Sequence, residues 1–117
     1  MKMSTTIINT ARKLRKYSTH ENYPMVAFVI RGGSIISSGV NHYSVYKHPF
    51  TTHAEVDAAQ RVRDDLSGAK VVVVRFLKNN HIADAKPCDE CVKYLRNRGI
   101  RRVKYTTTAG IFGTMKI

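Results

Sequence analysis

Two short segments of this chain carry side chains suited to metal and proton chemistry: Thr52-His53-Ala54-Glu55 and Pro87-Cys88-Asp89-Glu90-Cys91. Cysteines three apart in the first turn of a helix share one face, and the positive end of the helix dipole favours their thiolates. Two thiolates and one imidazole supply three ligands for Zn²⁺ and leave the fourth tetrahedral position open to water. That open position distinguishes a catalytic zinc from a structural one. Glu55, two residues beyond His53, can reach such a water without ligating the metal. Two other readings of these residues exist. A C-x-x-C pair can be a redox dithiol, although such motifs follow the first strand of their domain and this one lies near the C-terminus. A closed zinc site would recruit a fourth ligand from His42, His48 or His81. The two segments together, each opening a helix and flanking one strand, favour catalytic zinc at His53, Cys88 and Cys91.

The elements that must hold these residues follow from hydrophobic spacing. Ser4 is the expected cap of a first helix running to about Tyr17, with Ile7, Ala11 and Leu14 as its apolar stripe. Met25 to Ile30 and Ile35 to Val40 read as a β-hairpin around Arg31-Gly32-Gly33-Ser34. A loop from Asn41 to Thr52 leads to a helix expected over His53 to Leu66, with Val56, Ala59 and Val62 facing inward. Val71 to Leu77 is mostly a β-branched run, as suits a central strand covered on both faces. Cys88 begins a helix that turns Val92 and Leu95 inward and stops at Gly99. Val103 to Thr107 and Ile111 to Ile117 complete an order α-β-β-α-β-α-β-β. Such alternation implies an α/β fold with a largely parallel sheet between helical layers. The last connection is too short for a parallel crossover, so the final strand should run antiparallel.

Composition narrows the class. The chain has 117 residues, 43% of them hydrophobic, with 20 Lys+Arg against 8 Asp+Glu and a formal charge of +12. One globular domain spanning 1–117 is expected, and disorder is not. The longest apolar runs, Met25 to Ile30 and Val71 to Val74, fall far short of the ~20 residues a bilayer-crossing helix needs. Neither a secretory signal nor a disulfide framework is expected, which points to the cytoplasm. The excess charge favours a polyanionic partner.

His53-Ala54-Glu55 followed by Pro87-Cys88-Asp89-Glu90-Cys91 resembles the cytidine deaminase superfamily and its H-x-E…P-C-x-x-C signature. The likeness extends along nearly the whole chain. It implies a three-layer α-β-α sandwich around a mixed sheet of about five strands with a short antiparallel C-terminal strand. It also implies Zn²⁺ held by His53, Cys88 and Cys91, Glu55 as the proton carrier, and hydrolytic deamination of cytosine to uracil. Asn41 is then expected to hydrogen-bond the sugar and the Ala54 backbone to read the base edge, with Pro87 beside them. Relatives in this superfamily commonly self-associate, so a homo-oligomer is expected.

Substrate signals conflict. The short antiparallel C-terminus looks like the free-nucleoside branch of the family; the tRNA, deoxycytidylate and many polynucleotide members place a crossover helix before a parallel fifth strand. Against this, Lys93, Arg96, Arg98, Arg101, Arg102 and Lys104 crowd one region, and Arg12 to Lys16 form a second cluster. Tyr43, Tyr46, His48 and Phe50, interleaved with Lys47, suit base stacking along a single strand. Single-stranded DNA or RNA is therefore the favoured substrate, with Arg96, Arg98, Arg101 and Arg102 on its phosphates and Tyr43, Tyr46 and His48 against its bases. A free cytosine nucleotide or nucleoside is the alternative. From a different class, a zinc-stabilised nucleic-acid-binding module without turnover is the third reading.

Overall fold

In a computed structural model, which describes residues 2–19, 23–43 and 51–117, helices cover both faces of a mixed sheet. The elements in chain order are α1 (Lys2–Leu14, continued by a 3₁₀ turn, Arg15–Tyr17), β1 (Met25–Arg31), β2 (Ser34–Val40), β3 (His42–Tyr43), β4 (Thr51–Thr52), α2 (Ala54–Gln60), β5 (Lys70–Phe76), β6 (Ile82–Ala83), α3 (Asp89–Asn97), β7 (Arg102–Thr106) and β8 (Phe112–Lys116). The main sheet runs β2-β1-β5-β7-β8, with the two-residue β6 beside β5; β3 and β4 form a separate two-stranded ribbon. No described helix is long and apolar enough to cross a membrane.

Alternation along β1 and β5 builds both layers. Val26, Phe28 and Ile30 of β1 and Val72, Val74 and Phe76 of β5 point to one face, where Ile7 and Ala11 of α1 meet them. Ala27, Val29, Val71 and Val73 point to the other face, against Ala54, Ala58 and Ala59 of α2 and Leu95 of α3. Each fully buried Val, Leu, Ile or Phe contributes roughly 1.5–3 kcal/mol, so these two strands hold the molecule together. The hairpin turn places Gly32 at φ +59° and Gly33 at φ +79°, backbone that side chains with a Cβ rarely adopt.

Several expectations change. The sheet is mixed, with β5·β7 as its one parallel pair among the described residues; β1 runs antiparallel to both β2 and β5, and β8 runs antiparallel to β7 as expected. Ser4 lies inside α1 rather than capping it. The helix after His53 ends at Gln60, not Leu66, because Arg98 captures its carbonyls. Arg98 Nη1 donates to Ala59 O (2.8 Å), and Nη2 donates to Val62 O (2.6 Å) and Asp64 O (2.9 Å). The inward set of α2 is Ala54, Glu55, Asp57, Ala58 and Ala59; Val56 and Val62 are half-buried. In α3 the buried pair is Cys91 and Leu95, with Val92 half-buried.

Helix α2 sits unusually close to β2. A Cβ at Gly39 would lie 2.3 Å from Ala58 N and 2.9 Å from Ala54 O. Gly39→Ala must therefore push α2, and His53 with it, off the sheet. Overpacking of this kind typically costs ~1–3 kcal/mol, and the urea midpoint should fall accordingly. An unchanged midpoint would show that α2 is not seated this way.

Candidate metal centre and active site

The crossover from β5 through α3 to β7 sets the direction of α3. Its C-terminus enters β7 beside the start of β5, since Val71 pairs with Val103. Its N-terminus therefore lies at the carboxyl end of β5, the usual ligand side of such sheets. The tail of α2 is tied to the tail of α3 by Arg98 Nη1 donating to Ala59 O (2.8 Å), and the segment after α2 joins it there, with Leu66 N donating to Arg98 O (3.0 Å). The two helices run side by side, and both N-termini open at the same place.

His53 and Cys88 are the residues at which α2 and α3 begin, and neither uses its side chain as a cap. His53 Nδ1 lies 3.0 Å from Cys91 Sγ and 3.6 Å from Cys88 Sγ, and the two sulfurs are 3.3 Å apart. All three donor atoms fall within 4.8 Å of one another. Zinc–sulfur bonds of about 2.3 Å and zinc–nitrogen bonds of about 2.0–2.1 Å separate tetrahedral ligands by roughly 3.5–3.8 Å. A shift of a few tenths of an ångström would bring the triangle to that size. The donor set suits Zn²⁺, and among the described residues it stops at three. His42 bonds Asp57 Oδ1 through Nε2 (3.2 Å), and His81 is not part of the cluster.

Glu55 supplies the second test of fit. Its side chain is 1% exposed, and its Oε1 is buried without a hydrogen-bond partner. An unpartnered buried carboxylate oxygen is costly. Burial pushes the Glu55 carboxyl above its ordinary value, while a bond to its own backbone N–H, the nearby His53 and a bond to Cys91 pull partly the other way. Cys91 is pushed up as well, by burial first and then by the Glu55 carboxylate. A cation among these groups would relieve both strains at once.

Asp57 was not anticipated from sequence. It is buried one turn beyond His53, accepting from Val40 N (3.0 Å) through Oδ2 while its Oδ1 meets His42. These bonds clamp α2 to the end of β2 and to β3. The available signal was an acidic residue on the helix face that also carries Ala54 and Ala58. Asn41 is buried in a network of its own. Its Oδ1 accepts from Ser18 Oγ (2.5 Å) and Met25 N (2.9 Å), and its Nδ2 donates to Tyr23 O (3.1 Å). Any contact with a sugar rests on the family resemblance. Ala54 and Pro87 are both buried, next in sequence to His53 and Cys88 of the three-donor set. Tyr46, His48 and the Tyr43 side chain lie outside the described residues.

The basic residues named for a polynucleotide lie away from the starts of α2 and α3. Arg98 closes the end of α2. Arg96 Nε donates to Ile117 O (2.8 Å), and Arg101 Nη1 donates to Arg96 O (3.1 Å). Arg101 and Arg102 line a groove of about 380 Å³ with Gly32, Gly33, Gly68 and Lys70. That groove lies at the amino ends of β5 and β7, the opposite end of the sheet from His53 and Cys88. In the other cluster, Arg12 and Arg15 lie over the Phe76 ring on the α1 face.

Residues 1–107 match the family described as the cytidine and deoxycytidylate deaminase zinc-binding region. Among solved structures, the fold is similar to a cytidine deaminase from Burkholderia pseudomallei (TM-score 0.70, 17% identity, 96% of this chain and 91% of that one). It is also similar to the dCMP deaminase of cyanophage S-TIM5 in its apo form (0.67, 21%, 91% and 83%) and in complex with dCMP and dUMP (0.65, 20%, 91% and 82%). No curated protein sequence matches the chain.

Metal should join the two helix starts and so stabilise the fold as well as the site. Purified protein should carry about one equivalent of zinc, and Cys88→Ala should lose it and unfold at lower denaturant. Full zinc retention in Cys88→Ala would remove Cys88 from the ligand set.

Proposed function

The chain belongs to the cytidine and deoxycytidylate deaminase zinc-binding family, a family of zinc-dependent hydrolytic deaminases, and from that premise we propose that it deaminates a free cytosine nucleotide or nucleoside. The observation that carries this reading is the buried, unpartnered Glu55 Oε1 beside a three-donor set at two helix starts. When bound, zinc would supply Lewis acidity and lower the pKa of a water toward ~7. His53, Cys88 and Cys91 would hold it. Glu55 takes one proton of the attacking water and passes it to the ring nitrogen, then takes the second from the new hydroxyl and delivers it to the departing amine. Burial, which raises the Glu55 carboxyl, favours its taking up a proton from water. Attack at the carbon bearing the exocyclic amine expels ammonia and leaves uracil.

A small substrate is favoured over a polynucleotide by where the cations sit. A strand threaded to the metal would need phosphate contacts around the helix starts, whereas Arg96, Arg98 and Arg101 lie at the far end of α3, each bonded to a backbone carbonyl of this chain. The S-TIM5 complex supports a free nucleotide and the antiparallel β8 a free nucleoside, and both of these are small substrates.

Ammonia release should be at least tenfold faster in kcat/KM for cytidine, deoxycytidine or dCMP than for a cytosine-containing single-stranded oligonucleotide at the same moderate salt. The reverse ranking would restore the polynucleotide reading. Glu55→Gln should keep its zinc and fold yet lose about 10²–10⁴-fold in kcat. More than a tenth of wild-type turnover in that variant would place the proton carrier elsewhere.

A further inference from the structure

Arg75 is a cation that the fold and the deaminase mechanism leave unexplained. It is the penultimate residue of β5, at the carboxyl end where the metal helices open. Its pairing with Met25, and the alternation from Val71 and Val73, turn it toward the α2 and α3 face. The guanidinium lies under the Tyr23 ring, 4.8 Å from the centroid, and Nη1 donates to Asp84 O (3.2 Å). Nε is buried without a partner. No carboxylate forms an ion pair with it among the described residues, whose ion pairs are His42–Asp57, Arg61–Asp57 and Lys93–Glu90.

Two chain paths tie this guanidinium to the metal ligands. Asp84 stands four residues before Cys88, a separation of at most ~14 Å in extended chain. On the other side, Tyr23 O is bonded by Asn41, whose neighbour His42 pairs with Thr52, and Thr52 precedes His53. Both paths keep the guanidinium at the carboxyl end of β5, the end of the sheet at which α2 and α3 open.

We propose that Arg75 receives the 5′-phosphate of the substrate and makes the enzyme prefer a cytosine nucleotide over the nucleoside, an inference that rests on the free-substrate reading above. A planar guanidinium offers parallel N–H groups that match two phosphate oxygens, and such charge-assisted pairs are stronger than neutral hydrogen bonds. Tyr23, 51% exposed, can swing aside to let an oxygen reach Nε. The phosphate would give Nε its missing acceptor and the guanidinium its missing counter-charge. A nucleoside would provide neither.

The test compares dCMP with deoxycytidine in wild type, Arg75→Met, Arg75→Lys and the distant control Arg102→Gln. The wild type should prefer dCMP. In Arg75→Met the dCMP-to-deoxycytidine ratio of kcat/KM should fall tenfold or more, through KM rather than kcat. Arg75→Lys should lie between, and Arg102→Gln should keep the wild-type ratio. Calorimetric binding of dUMP and deoxyuridine to the zinc-loaded proteins should show the same ranking without turnover. Equal losses on both compounds, or an unchanged ratio, would reduce Arg75 to a structural role and overturn the proposal. Turnover of neither compound would defeat the free-substrate reading, while the binding ratio would still decide Arg75. Binding of neither product would overturn both.

Discussion

Two helix N-termini open at one point, and the rest of the site depends on what lies between them. Each end carries roughly half a positive charge, so an empty junction would be repulsive. Thiolates relieve that repulsion, yet burial and the Glu55 carboxylate both push Cys91 toward its protonated form. A divalent cation resolves the conflict, because it displaces the thiol protons and neutralises the buried carboxylate's surroundings. Metal, helix dipoles and Glu55 thus form one electrostatic unit. Asp57 and Gly39 press α2 against β2 so that His53 stands where the unit needs it.

What was legible in the sequence was local. His53, Cys88 and Cys91 were readable because residue type and position at a helix start already specify the chemistry. The β-branched run at 71–74 was readable as a central strand because it is buried on both faces. The length of α2 was not, since it is ended by Arg98, far along the chain and carried by another helix. Asp57 was missed for a similar reason. An acidic residue on a short helix reads as a solvated face until β2 and His42 arrive from elsewhere to bond it. The direction of β1 relative to β5 is likewise a property of long-range pairing, and no local pattern encodes it.

Charge shows the same limit. The +12 balance is a fact of composition, but composition carries no direction. Once folded, Arg96, Arg98 and Arg101 bond backbone carbonyls of the chain itself, and Arg102 lies at the far end of the sheet. The count alone therefore does not say where a polyanion would lie, whereas the proposal for Arg75 rests on one cation's place at the carboxyl end of β5.

The central claim is that three protein ligands hold zinc and leave a position open for chemistry. X-ray absorption at the zinc edge of the metal-loaded protein measures this directly. The account predicts two sulfur ligands at about 2.3 Å, one imidazole nitrogen and one light ligand at about 2.0–2.1 Å, with the scattering of only one imidazole. A closed shell of two sulfurs and two imidazoles would contradict it. Such a shell would mean a structural zinc with no room for water, and Glu55 would have no proton to carry.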